Sequence, residues 1–327
     1  MENIKIKEIE IYHPHKKMNV KHYLDFYKEK GQDISGLLNV LGREDKYVID
    51  SNTENTLTMG IKVAKQVLKK SGLEGEDIDM IVFATQTPES LLPTNSLQVH
   101  HAIEAGKQTL SMDINTNCTG MLVAIEQASR SMLNNPRMNR ALIIGSDDWT
   151  LFCDSEDPIT YANFGDASCA VILERTDEDT GFIDAMYKVD TTNVKALSFP
   201  IDGMAKFIKN RNSCPFIKEI SSQRDILPDT VELFDNLLKD NGYTIDDVDF
   251  IAPSQFVLHN IKRIQEHYNL DSEQLLFVGD KYGYTGGTSP LLALYEGIKA
   301  GKVKRGDLIL FYTIGTGHQI IAMLFKY

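Results

Sequence analysis

The sequence predicts an α/β fold built from two copies of one unit, and three observations predict it. The first is a repeat. Residues 62–87 (KVAKQVLKKSGLEGEDIDMIVFATQT) and 231–257 (VELFDNLLKDNGYTIDDVDFIAPSQFV) each read as an amphipathic helix, a Gly-containing stop, an acidic turn and an apolar strand. The match continues: residues 119–146 resemble 288–315, and FGDASCAVILE at 164–174 matches GTGHQIIAMLFKY at 315–327. The offset stays at roughly 170 residues, as duplication of one ancestral unit requires. The second observation is the alternation of strand and helix, with apolar runs of the kind that strands buried on both faces carry. The third is an asymmetry. Cys118 precedes the helix of the first copy, and its counterpart near Gly287 is not a cysteine. A duplicated scaffold with chemistry in one half suggests a site at the seam. The boundary falls near residue 175, giving halves 1–175 and 176–327.

In chain order, helices are expected at 55–72, 119–133, 228–242, 256–268 and 289–300. Strands are expected around IVFAT (81–85), ALIIG (141–145), AVILE (170–174), LILFY (308–312) and IIAMLF (320–325). Segments 14–54 and 187–228 show no clear periodicity and read as irregular insertions that cap each copy and cover a substrate.

Composition narrows the class. The 327 residues suit two fused subdomains, and 42% hydrophobic content supports a large core. A net charge of −12 argues against nucleic acid as a partner, because phosphate binding needs a basic surface. It leaves room for a local basic patch that meets an acidic protein. No apolar run is long enough for a membrane span, and MENIKIKEIEIYHP lacks the apolar core of a signal peptide, so a cytoplasmic protein is expected. The four cysteines, Cys118, Cys153, Cys169 and Cys214, form no CxxC pair, so no metal site is expected and all four read as free thiols. Cys169 lies in an apolar strand and reads as core.

Cys118 lies in SMDINTNCTGMLVAIEQ, an apolar strand, a sharp turn and then a periodic helix. A helix N-terminus favours a thiolate, and its free N–H groups suit an oxyanion. The local sequence alone equally fits a small buried hydrophobe.

Five motifs in order decide between these readings. They are ATQTPESLLPTNS (84–96), DINTNCTGMLVAI (113–125), ITYANFGDASCAVIL (159–173), YGYTGGTSPLLALYEGIKAGKVKRGDLILF (282–311) and IGTGHQIIAML (314–324). With them the chain resembles, over nearly its whole length, the beta-ketoacyl-ACP synthase III family of the thiolase superfamily. The resemblance implies a thiolase fold with five αβαβα layers, and dimers. It implies that Cys118 takes an acyl group as a thioester from acyl-ACP or acyl-CoA, with no bound cofactor. It implies an oxyanion site at Cys118, Gly315 and Gly317, an acyl tunnel shaped by Phe164 and by Leu91 and Leu92, whose loop reaches into the dimer partner's tunnel, and a partner in acyl carrier protein. Asp166 is expected to hold backbone near the nucleophile.

The family decarboxylates malonyl-ACP with a histidine and an asparagine. Here Ser254 stands at the histidine position and Tyr284 at the asparagine position. Serine is no base near neutral pH. Losing one oxyanion donor costs about 2.7–4 kcal/mol. Candidate replacements are Tyr284 itself and His318, which follows Gly317. His259 is expected on a helix away from the thiol, and His100, His101 and His267 on helix surfaces. The CoA-clamp positions read Gly36 and Val40, and Pro158 lies where an arginine is usual, which favours a carrier-protein donor over CoA. Lys262 and Arg263 are candidates for docking that carrier. Gly120, Gly286 and Gly287 suit close-packed turns.

The leading reading is a synthase III-like acyltransferase, acting by Claisen condensation or by non-decarboxylative transfer. The alternative is a non-catalytic or half-active subunit in a heterodimer with a related synthase. A degradative thiolase is disfavoured, because the C-terminal loop has no second cysteine.

Overall fold

Apolar strands flanked by amphipathic helices assemble into two sheets. The structure is a computed structural model that describes residues 2–195, 197–210, 216–219 and 225–327; Cys214 lies outside the described residues. The strands are β1 (Asn3–Tyr12), β2 (Lys16–Asn19), β3 (Asp45–Val48), β4 (Met80–Ala84), β5 (Leu110–Ile114), β6 (Arg140–Asp147), β7 (Ala167–Thr176), β8 (Gly181–Val189), β9 (Leu197–Ser198), β10 (Lys218–Glu219), β11 (Phe250–Pro253), β12 (Leu308–Gly315) and β13 (Gln319–Lys326). The helices are α1 (Val20–Glu29), α2 (Ser35–Leu41), α3 (Thr56–Ser71), α4 (Asn95–Ala102), α5 (Gly120–Asn134), α6 (Pro158–Tyr161), α7 (Met204–Lys209), α8 (Leu227–Asp240), α9 (Leu258–Tyr268), α10 (Gly279–Tyr282) and α11 (Ser289–Lys299).

The duplication is visible in the sheets. One has the order β1–β7–β6–β4–β5, the other β8–β13–β12–β11. In both, an antiparallel pair (β6–β7 or β12–β13) lies between an antiparallel strand on one side (β1 or β8) and a parallel strand on the other (β4 or β11). β5 extends only the first sheet, parallel to β4.

Side-chain burial stacks these sheets into five layers. α3 and α4 cover one sheet, where Val63, Val67 and Val99 pack on Ile81, Phe83 and Ile172. α5 and α11 fill the space between the sheets, where Met121, Ile125, Leu291 and Leu294 meet Val82, Ile143, Phe311 and Met323. α8 and α9 cover the outer face of the second sheet through Phe234, Leu237, Ile261 and Ile264. A helix in the middle layer has no solvent face, and α5 is accordingly buried nearly all round from Gly120 to Ser129. α3 starts at an Asn55/Thr58 capping box and ends at left-handed Gly72, the signals that delimit helices in sequence.

The irregular reading of 14–54 is corrected. The segment holds a β2–β3 hairpin and the helices α1 and α2. α1 buries tyrosines, Tyr23 and Tyr27 at i and i+4, rather than an aliphatic stripe, which hides its period. Among the described residues no helix is long and apolar enough to cross a membrane.

Candidate active site

The chain turns sharply after β5. Asn117 takes a left-handed φ of 57°, which asparagine tolerates better than most residues. Asn115 Oδ1 accepts from Asn117 N at 3.0 Å, and Thr119 and Gly120 donate back to the carbonyls of Thr116 and Asn117. This delivers Cys118 to the start of α5. The Cys118 side is 4% exposed, and the residue borders a cavity of about 420 Å³ that it shares with Ser254, Tyr284, Gly315, Gly317 and His318.

Two polar groups hold the sulfur. The Tyr284 hydroxyl hydrogen-bonds to it, and Gln86 sets its Nε2 at 3.6 Å and its Oε1 at 3.9 Å from Sγ. The expected thiolate is corrected here. Burial pushes the Cys118 thiol up from its ordinary value, and hydrogen bonds from Tyr284 and Gln86 only partly offset it. Burial raises the Tyr284 phenol well above its ordinary range too, so the hydroxyl stays a donor.

Tyr284 is fixed through its backbone and its ring. Its N–H donates to Asn163 O at 2.9 Å, its carbonyl accepts from Gly165 N at 3.0 Å, and its ring meets Phe256 and Phe164 at 4.8 and 5.4 Å. Ser254 follows β11 directly, with its N–H on Tyr312 O at 2.7 Å. Its hydroxyl lowers the Tyr284 phenol slightly but completes no well-formed hydrogen bond of its own. Buried Arg43 braces the following turn, donating to the carbonyls of Gln255 at 2.6 Å and Phe256 at 2.8 Å and to Asn163 Oδ1 at 2.7 Å.

The β12–β13 hairpin supplies the opposite wall. Gly315 pairs with Gln319, and the tip turns through left-handed Gly317 (φ 78°) and His318 (φ 47°). A Cβ at Gly315 would sit 3.2 Å from Asn117 Cβ and 3.3 Å from Cys118 N, so glycine lets the hairpin close on the nucleophile turn. Asn117 Nδ2 reaches Thr316 O at 3.4 Å, and Thr313 Oγ1 donates to Cys118 O at 3.2 Å.

One further reading is corrected by placement. Phe164 does not border the cavity; it is fully buried beside Tyr284, its ring tilted against Trp149 at 5.0 Å. Leu91 and Leu92, expected to reach into a dimer partner's tunnel, are 65% and 89% exposed. His259 is exposed on α9 but contributes to the cavity wall.

Comparison with known proteins resolves the family. The family model described as 3-oxoacyl-[acyl-carrier-protein (ACP)] synthase III matches residues 112–191, and that for its C-terminal part matches 238–327. A beta-ketoacyl-[acyl-carrier-protein] synthase III of Clostridium novyi is 30% identical over 285 residues, spanning 85% of this chain and 86% of that one. The chain belongs to the beta-ketoacyl-ACP synthase III family. The Aquifex aeolicus synthase III is 29% identical over 84% of this chain and 85% of its own. Its crystal structure superposes with a TM-score of 0.86, at 25% identity, over 99% of this chain and 100% of that one. The priming beta-ketosynthase of the R1128 polyketide pathway shares the fold, with a TM-score of 0.88 at 18% identity over 99% and 96% of the two chains. The fold is thus the thiolase fold of synthase III proteins.

Within this synthase III scaffold, Asp166 accepts from Ile49 N at 2.8 Å and Thr150 N at 2.9 Å, a structural clamp. Lys262 is exposed on α9, whereas Arg263 is held bidentately by Asp225 at 2.6 and 2.8 Å. Val40, half exposed, borders the cavity mouth. Gln86 is the site residue that the sequence reading missed. It sits beyond the carboxyl end of β4, where α/β sheets gather ligands, and that position is its sequence signal.

Proposed function

We propose that this chain is a synthase III-like acyltransferase that carries its acyl group on Cys118. The single observation behind the reading is the sulfur itself, on the wall of a cavity between the two halves, with the Tyr284 hydroxyl hydrogen-bonded to it and Ser254 on the same wall. The Cys118 sulfur, deprotonated, attacks the carbonyl carbon of an acyl thioester. A carbon–sulfur bond to Cys118 forms, the bond to the donor sulfur breaks, and the donor leaves as a thiol with the proton Cys118 gave up. The oxyanion formed in between lies toward the Cys118 N–H and the Gly315–Gly317 hairpin, with Tyr284 as a neutral donor. An acceptor then takes the acyl group. His318, on the same wall, is the candidate to move its proton.

The donor is an acyl-ACP or acyl-CoA thioester, and the exposed Lys262 beside the His259 and Asn260 mouth supports an acidic carrier. A homodimer is supported by apolar Leu91, Leu92, Leu110 and Met112, exposed along and near β5, whose outer edge pairs with no described strand.

Intact-mass spectrometry tests the reading. Acyl thioesters should add one acyl mass, on Cys118, and Cys118→Ala should remove it. An undiminished adduct in Cys118→Ala, or none in the native chain, refutes it. Carbon dioxide release from malonyl-ACP separates condensation from plain transfer.

A further inference from the structure

The Cys118 sulfur lies between two hollows. One is the cavity of about 420 Å³, which opens past Val40, His259 and Asn260 on α2 and α9. The other, of about 670 Å³, lies on the far side of Gln86 and is lined in part by Asn115, Asn117, Trp149, Phe152 and Lys195. Gln86 borders the larger chamber and touches the sulfur, which borders the smaller one. Leu197 and Thr316 are walls of both. The Gln86 carboxamide therefore stands at the partition.

Its backbone cannot give way easily. Buried Asp147 Oδ1 accepts from Gln86 N at 2.7 Å, Thr85 Oγ1 at 3.0 Å and Thr87 Oγ1 at 3.1 Å. Only the side chain is left to swing, and swinging breaks its contact with the sulfur. A thioester lying in the smaller cavity with its carbonyl at Cys118 has its carrier arm toward α9. Its acyl group then points at Gln86.

We propose that Gln86 is a specificity-determining residue, a stop that limits Cys118 to short acyl groups and that longer chains must displace to enter the larger chamber. The inference rests on Cys118 carrying the acyl group. A longer alkyl chain forfeits the carboxamide–sulfur contact in exchange for a chamber whose wall mixes apolar Trp149, Phe152 and Leu197 with polar Asn115, Asn117 and Lys195.

The test is a length series of acyl-pantetheine thioesters, acetyl, butyryl, hexanoyl and octanoyl, with the rate of Cys118 adduct formation read by intact mass. In the native chain the octanoyl rate should fall well below the acetyl rate. Gln86→Ala should raise the octanoyl-to-acetyl ratio about ten-fold, the effect of roughly 1.4 kcal/mol. Gln86→Met, which keeps the bulk but loses the amide–sulfur contact, should raise it less than Gln86→Ala. Gln86→Asn, one methylene shorter, should raise it part-way and carries the test if the alanine variant does not fold. The proposal is overturned by equal ratios in the native chain and Gln86→Ala or Gln86→Asn, or by Gln86→Met matching Gln86→Ala. An absence of adduct with every thioester overturns the acyl-enzyme reading as well.

Discussion

Tyr284→Phe isolates what the hydroxyl does for the nucleophile. The substitution removes one oxygen and keeps the ring, so the contacts with Phe256 at 4.8 Å and Phe164 at 5.4 Å persist. The Cys118 thiol is pushed up by burial and drawn back first by the Tyr284 hydrogen bond. A hydrogen bond to a charged group contributes about 1.5–3 kcal/mol, and one between neutral groups about 0.5–1.5 kcal/mol. The difference, roughly 1–1.5 kcal/mol, is what moves the titration, and at about 1.36 kcal/mol per unit it amounts to nearly one pH unit. Deleting the donor disfavours the thiolate, so the sign is upward. The assay is the rate of Cys118 alkylation by iodoacetamide as a function of pH, with the site confirmed by mass spectrometry. The native curve should rise with a midpoint above that of an ordinary thiol. In Tyr284→Phe the curve should move higher, and alkylation at any pH below both midpoints should slow by about ten-fold. A midpoint that stays put or falls would refute the claim that Tyr284 supports the thiolate.

Two further outcomes follow from burial and backbone geometry. Burial pushes the Asp147 carboxyl up to about 7 against the donors of residues 85–87. Between the ordinary carboxylate value and about 7 the native state therefore binds more protons than the unfolded chain, and stability falls as pH rises through that window, then levels off. Urea unfolding at pH 5 and pH 8 should show this slope flattened in Asp147→Asn; an unchanged slope assigns it elsewhere. Gly286 has φ 66° and a would-be Cβ 2.5 Å from Trp149 Nε1. Gly286→Ala should cost about 1–3 kcal/mol, read as a lowered Tm, and an unshifted Tm would contradict the packing.

The sequence made some of this site legible and hid the rest for physical reasons. The Asn-Thr-Asn-Cys-Thr-Gly turn was readable because Asn117 and Gly120 are residue types that such a turn selects, and the periodic helix after them is long. Ser254 and Tyr284 could be singled out from motif position, and both border the cavity. Phe164 was misjudged because its motif fixes the backbone, while the direction of its ring depends on Trp149 and Tyr284 from elsewhere in the chain. The state of the thiol was misjudged because a helix start is visible in sequence, whereas burial by the partner half is not. α1 escaped because tyrosines carried its buried face. Gln86 escaped because an amide next to a strand end looks like any loop residue until the turn bearing Cys118 is folded against it.

The two halves contribute unequally at the seam. α5 and α11 are equivalent helices, and their starting turns meet at the seam. A Cβ on Gly287 would lie 3.5 Å from Cys118 O, 3.6 Å from Met121 N and 3.7 Å from Gly120 N, directly over the first turn of α5. A bare glycine there leaves the opening amides of α5 close to the second half, and a Cβ would meet them at ordinary van der Waals distance. The chemistry is divided accordingly. The first half brings the sulfur and Gln86, and the second brings Ser254, Tyr284 and the Gly315–Gly317 hairpin, cross-tied by Thr313 Oγ1 on Cys118 O. Neither half holds a complete wall around the thiol, so duplication supplied the scaffold and divergence at the seam created the candidate site.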